Sequence, residues 1–235
     1  MNKTAHGWEV FDTELPILTY TYSFGAGLAN ALAVGGAGGL IVVSPPCRVD
    51  AGVMDDLAAF GPVRALVASN AFHHMGLPAW HRHFPDAALF APAQSIARVE
   101  KQSGLRGIAP VASAADIAGP GVELIDLPHY KTGEVLVRME SPRGRAWYVT
   151  DVILNMTELP GNPVARLLFG LSRSAPGLRY NNIAPLFMVR DRRALRRWLA
   201  AEAAAKPPRW LIPAHGAVFD CVAGGEAVRQ LFTTA

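Results

Sequence analysis

The segment Leu66-Val67-Ala68-Ser69-Asn70-Ala71-Phe72-His73-His74-Met75-Gly76-Leu77 constrains the chain more than any other. It reads as a short apolar strand that breaks into a loop bearing two adjacent histidines. A helix signal follows, with Pro78 near its start and Trp80 and Phe84 on one side. A strand that passes through a loop into a helix implies a sheet with helices packed on it. Loops at strand ends gather chemistry, because the sheet holds a few side chains at a fixed point. Neighbouring histidines reach one point only where the backbone turns sharply, since in a regular strand they face opposite sides.

The same alternation runs along the chain. Strand patterns cover Trp8–Phe11, Ile17–Ser23 and Leu28–Val34, and a glycine turn leads into Leu40–Val43. Asp50 can cap a helix with Val53, Met54, Leu57 and Phe60 inward, stopped by Gly61-Pro62. Val63–Ala68 delivers the histidine loop, and Ala87–Ala91 is a further strand. Residues 99–119 read as a connector with one helical turn. Gly121–Leu127, Glu134–Glu140, Ala146–Thr150 and Trp210–Pro213 are strands. Asp191 caps a helix with Ala194, Leu195, Trp198 and Leu199 inward, and Gly225–Phe232 is the last helix. Residues 156–182 lack clear periodicity and read as an excursion over the site or an oligomer contact. No linker divides the chain, so residues 1–235 are expected to form one domain.

Composition narrows the class. At 235 residues, 51% hydrophobic and 17% charged, the chain can bury a large core and presents a sparsely charged surface, part of which a homo-oligomer could cover. Arg190, Arg192, Arg193, Arg196 and Arg197 fall on the solvated side of one helix, and a nucleic-acid partner is not expected. Cys47 and Cys221 make no disulfide framework or CxxC motif, which points to reduced thiols and the cytoplasm. No apolar run is long enough to span a bilayer, and no membrane partner is expected.

His73-His74, His129, Asp151 and His215 each sit just past a strand pattern, and they include four of the seven histidines. If those strands end at one edge, the group converges on a point suited to Zn²⁺, Fe or Mn²⁺. Asn70 can orient the loop, because asparagine tolerates unusual backbone angles. Asn70, and Tyr130 and Lys131 beside His129, are the candidate substrate-binding groups. His6 falls in a frayed terminus, and His81 and His83 read as solvated helix residues.

These residues resemble the motifs of the metallo-β-lactamase fold superfamily, over most of the chain. The His-x-His-x-Asp-His motif aligns onto Ser69-Asn70-Ala71-Phe72-His73-His74. His129 resembles the second-motif histidine, Asp151 the bridging aspartate and His215-Gly216 the closing histidine. Ser44-Pro45, Gly61-Pro62-Val63, the Phe84-Pro85-Asp86-Ala87 run and Thr150-Asp151 further resemble the uncharacterised DUF4336-type subgroup. The resemblance implies an α/β chain folded as a four-layer αβ/βα sandwich, two mixed sheets face to face with helices outside and a metal site at one edge. Ser69 and Ala71 replace the first two motif histidines, so the first metal position is expected to be empty. The second would hold His73, His74, Asp151 and His215, with His129 able to complete it.

The function implied is hydrolysis of an ester, amide, thioester or phosphoester in a small molecule. It would use water activated by one divalent ion, zinc first, with iron or manganese as alternatives. His73 and Asp151 are the candidate catalytic groups. The second reading is a degenerate member of the fold, with or without metal, that binds a small molecule or protein without turnover.

Overall fold

The computed structural model describes residues 2–25 and 27–233. Met1, Ala26 and residues 234–235, which the single-domain expectation also takes in, lie outside the described residues. The first sheet holds eight strands in sequence order: β1 (Asn2–Lys3), β2 (Glu9–Asp12), β3 (Ile17–Ser23), β4 (Leu28–Gly36), β5 (Gly39–Val43), β6 (Val63–Val67), β7 (Ala88–Ala91) and β8 (Ala109–Pro110). Strands β1 to β5 form an antiparallel meander, and β5 to β8 pair in parallel. Parallel neighbours need crossover connections. Here these carry α1 (Ala51–Asp55), α2 (Leu77–His83) and α3 (Ile96–Ser103).

After the short α4 (Ala115–Ala118) the chain enters the second sheet through β9 (Val122–Asp126), β10 (Val135–Met139) and β11 (Ala146–Thr150). A two-stranded ribbon, β12 (Ile153–Met156) with β13 (Gly177–Tyr180), flanks α5 (Pro163–Leu171). Then come α6 (Ala184–Phe187), α7 (Arg192–Ala205), β14 (Trp210–Pro213), β15 (Phe219–Asp220) and α8 (Gly225–Thr233). The second sheet is ordered β15-β14-β11-β10-β9, with β11 and β14 parallel.

Period-two alternation puts apolar side chains on both faces of the central strands. Leu40 and Val42 pack with Trp8, Leu66 and Trp80 under the first helices. Ile41 and Val43 face the other way and meet Val67, Val135, Val137, Tyr148 and Ile212 between the sheets. Leu136, Trp147 and Leu211 turn outward to Leu195 and Leu199 of α7 and Leu231 of α8. The result is helix, sheet, sheet, helix, the four-layer α/β sandwich. Each fully buried large apolar side chain contributes about 1.5–3 kcal/mol.

Some local expectations change. Asp50 precedes α1, but its side chain makes no capping bond, and the helix gives way to a 3₁₀ turn at Asp56–Ala59. Residues 99–119 hold the end of α3, β8, a 3₁₀ turn and α4. Val99, Ile108, Val111, Ala114 and Ala118 bury there, and their small-residue spacing conceals the periodicity. His6 is anchored, because its backbone N–H and its Nδ1 lie 2.7 and 2.8 Å from the Asp56 carboxylate. His83 Nε2 pairs with Asp55 at 2.9 Å, while His81 Nδ1 is buried without a hydrogen-bond partner.

Candidate metal centre

Strand β6 ends at Val67, and the chain turns at Asn70, whose side chain does two jobs. Its Oδ1 accepts from the backbone N–H groups of Phe72 and His73 at 2.8 and 3.0 Å, which winds the loop tightly enough to set His73 inward. Its Nδ2 donates to Asp151 Oδ2 at 2.9 Å and to both oxygens of Glu134 at 3.2 and 3.3 Å. Asn70, expected among the substrate-binding groups, is instead fully buried outside the cleft lining and acts through these bonds, not through a positive φ. Gly76 closes the loop against Pro45, where a Cβ would stand 2.0 Å from the Pro45 carbonyl oxygen.

Asp151 arrives from the opposite sheet. Strand β11 shifts register against β14 between Tyr148 and Thr150, and Thr150 has φ +41, a costly conformation for a β-branched residue. Thr150 Oγ1 donates to the Val135 carbonyl at 2.9 Å, which fixes the bend that places Asp151 between the sheets. His215 follows β14. Gly216 behind it has φ +105 and touches the Asn155 backbone so closely that a Cβ would clash at 1.8 Å.

His73, Asp151 and His215 each offer a ligand atom, and these atoms lie within 4.8 Å of one another. His73 Nε2 is 3.3 Å from Asp151 Oδ2, and His215 Nε2 is 3.2 Å from Oδ1. Oδ1 is nevertheless buried with no aligned hydrogen-bond donor, as is His73 Nδ1. The two rings stand 5.9 Å apart at 65°. His215 Nδ1 lies 2.7 Å from the Leu28 carbonyl oxygen, so that nitrogen carries a proton and donates. In the neutral ring the Nε2 lone pair then faces a carboxylate, an arrangement that calls for a proton or a cation between them. Two imidazoles and a carboxylate in this disposition fit one divalent ion and leave a coordination position open.

The electrostatics separate two buried carboxyls. Burial raises the Asp151 pKa, but the His73 charge and the contacts with His215 outweigh it and hold the group well below the carboxylate range. Glu134 goes the other way. Burial, then the Asp151 charge, drive it well above that range, against the opposing influence of the neighbouring Thr150 hydroxyl, the Asn70 amide and the Asp151 backbone. Of the two carboxyls it is therefore the one that holds a proton more tightly. Burial lowers the His215 pKa, yet Asp151 and the Leu28 carbonyl together raise it more.

Above the trio is a cleft of about 220 Å³ lined by Tyr22, Phe24, Cys47, Phe72, His73, Met75, Asp151 and His215. Four other expected site residues lie elsewhere. His74 turns back so that its Nδ1 is 3.1 Å from the Ala71 carbonyl, since the turn that aims His73 inward aims its neighbour aside. His129 is exposed, with φ +66, and its backbone carbonyl accepts from Arg190. Tyr130 is 3% exposed in the layer under α7, where burial drives its pKa well up, and it does not line the cleft. Lys131 is exposed and does not line the cleft. Glu134 was not singled out by its sequence, which shows only a charged residue opening a strand. The cleft walls from β3 and the 44–47 turn likewise carried no signal.

No protein-family model matches the sequence, and no curated protein matches it. Solved structures do. A metallo-β-lactamase from Pontibacter korlensis is 11% identical, with 97% of this chain and 99% of that one covered and a TM-score of 0.61. The mono-zinc form of the metallo-β-lactamase FIM-1 from Pseudomonas aeruginosa is 16% identical over 99% and 96%, with a TM-score of 0.60. A flavo di-iron protein variant from Thermotoga maritima is 12% identical over 94% of this chain and 60% of that one, with a TM-score of 0.61. The chain thus has the metallo-β-lactamase fold, and at its sheet edge it carries a His-Asp-His cluster compatible with metal binding.

Proposed function

We propose that this chain is a metal-dependent hydrolase of a small molecule, built around one divalent ion held by His73, Asp151 and His215. The observation that supports it is the buried Asp151 Oδ1, which lacks an aligned donor although an imidazole nitrogen stands 3.2 Å away. Zinc suits two imidazoles and a carboxylate best, with iron or manganese as alternatives, and the mono-zinc and di-iron neighbours agree with that range. Such an ion, when bound, supplies Lewis acidity that polarises an acyl or phosphoryl oxygen and acidifies water.

The chain's own groups do the rest. Asn70 holds Asp151 and the His73 loop in one frame, and the Leu28 carbonyl fixes the His215 tautomer. Tyr22, Phe24, Phe72 and Met75 give the cleft apolar walls that exclude water from an entering group. Asp151 and His73 line that cleft, and the catalytic role proposed for them is to accept a proton at an atom that the ion leaves free. A cleft of about 220 Å³ admits a small acyl, thioester or phosphoester group more readily than a drug-sized molecule. The DUF4336-type likeness of the sequence and the cytoplasmic setting inferred from two unpaired cysteines belong to the same reading.

Elemental analysis of the purified protein, with and without zinc reconstitution, tests it. About one equivalent of metal that disappears in His215→Ala and Asp151→Ala is the expected result. A protein that stays metal-free at neutral pH overturns the hydrolytic reading and leaves a binding protein without turnover.

A further inference from the structure

The stretch that runs from the end of β12 into the first turns of α7 differs in character from the rest of the molecule. Between Glu158 and Arg197 it holds eight of the chain's 22 basic residues, all arginine, and only two of its 19 acidic ones, Glu158 and Asp191. The chain's positive charge is concentrated here, and what remains is net negative.

Two adjoining clefts open on this face. One, of about 550 Å³, is lined by Arg173, Arg179, Arg196 and Asn182 beside Tyr180, whose hydroxyl is buried without a partner. Arg196 stacks on the Tyr180 ring at 4.6 Å. Among the described residues none of these three arginines pairs with a carboxylate. The other cleft shares Arg173, Asn182 and Arg196, but its remaining walls are chiefly Leu168, Leu171, Ile183, Leu186 and Phe187. Helix α5 buries none of its residues. Val164, Leu167, Leu168 and Leu171 are 52–76% exposed, and Leu186 and Phe187 are 68% and 73% exposed.

We propose that this face lies on a bilayer containing anionic phospholipid, with α5 in the interface and the arginines on headgroup phosphates. Apolar side chains standing out from a helix, bordered by arginine, are the pattern of in-plane membrane binding. Guanidinium groups match phosphate oxygens in pairs, and juxtamembrane arginines are drawn to an anionic leaflet. A second copy of this chain is a poor occupant, because a symmetric contact would press arginine against arginine. The expectation of no membrane partner rested on the lack of a spanning segment. No helix among the described residues is long and apolar enough to cross a membrane, and lying on one requires none.

The test is cosedimentation of the full chain with phosphatidylcholine vesicles, with and without phosphatidylglycerol. Binding to the anionic vesicles only, weakened by salt, is expected. It should fall roughly tenfold or more in Leu167→Asp/Leu171→Asp and in Arg173→Glu/Arg179→Glu. All four side chains are exposed, so both variants should keep the wild-type circular dichroism. Failure to sediment, or sedimentation that both variants leave unchanged, overturns the proposal. So does a dimer that Leu167→Asp/Leu171→Asp dissolves, or stabilisation by inorganic phosphate, when either occurs without vesicle binding.

Discussion

Asn70 and Asp151 are joined by a 2.9 Å hydrogen bond that spans the two sheets, from the end of β6 to the end of β11. The same amide touches Glu134, and the same side chain's oxygen winds the loop that carries His73. One buried residue therefore sets the loop and orients the charged carboxylate.

Removing it should be costly. Asn70→Ala leaves two loop N–H groups without their acceptor and takes a donor from each of two buried carboxyls, and an equilibrium denaturant titration should show a loss on the order of 2–4 kcal/mol. Asn70→Asp adds a carboxyl beside Glu134 and Asp151, which raises the new group's pKa above its unfolded value. The variant should therefore be least stable at neutral pH and recover part of the loss as pH falls. A variant as stable as the parent would show that the amide is dispensable.

His73 and His74 are neighbours in sequence but not in role. His73→Ala should weaken zinc binding by more than about 100-fold in calorimetric titration. His74→Ala removes only a contact with the Ala71 carbonyl and should leave the affinity within about twofold. Equal losses in the two variants would mean that both rings reach the ion.

Tyr148 ties the sheets together away from the cleft. Its hydroxyl donates to the Asn30 carbonyl at 2.6 Å and lies 3.1 Å from Ser44 Oγ, which in turn is 2.7 Å from Ser69 Oγ. Tyr148→Phe should cost about 1–2 kcal/mol, read as a lower midpoint in urea with an unchanged slope. Metal content should stay at the parent level.

His6 supplies a pH signature at the amino-terminal end. Its hydrogen bond to Asp56 raises the imidazole pKa, against a smaller opposing effect of burial. That contribution is complete below the unfolded value of about 6.5 and disappears as pH climbs through the folded value. Burial raises the Asp56 pKa, but Thr4 and His6 together bring it below the ordinary value, so its share is present above about 3.9 and lost as pH falls through the folded value. The difference in Tm between the parent and His6→Ala should be largest between about pH 4.5 and 6 and narrow as pH rises beyond the unfolded imidazole value of about 6.5. A pH-independent difference would mean that the ion pair contributes nothing.

The amino-acid sequence by itself determined the layers of this protein. Runs such as Leu40–Val43 and Ala146–Thr150 are apolar at every position or nearly so, which demands burial on both faces, and glycine and proline mark where each run must stop. Histidines just past two such runs, His73 and His215, were legible for the same reason, because a strand end fixes where its next residues emerge. Only the tertiary structure decided which groups meet. His74 and His129 have the same local signal but leave the cluster, one through the turn that Asn70 imposes and the other through a left-handed backbone at an exposed bend. Glu134 joins through contacts with residues far away in the chain, which no local pattern encodes. Hydrophobic periodicity is a local property of each strand, whereas convergence of side chains depends on how separate strands register against one another.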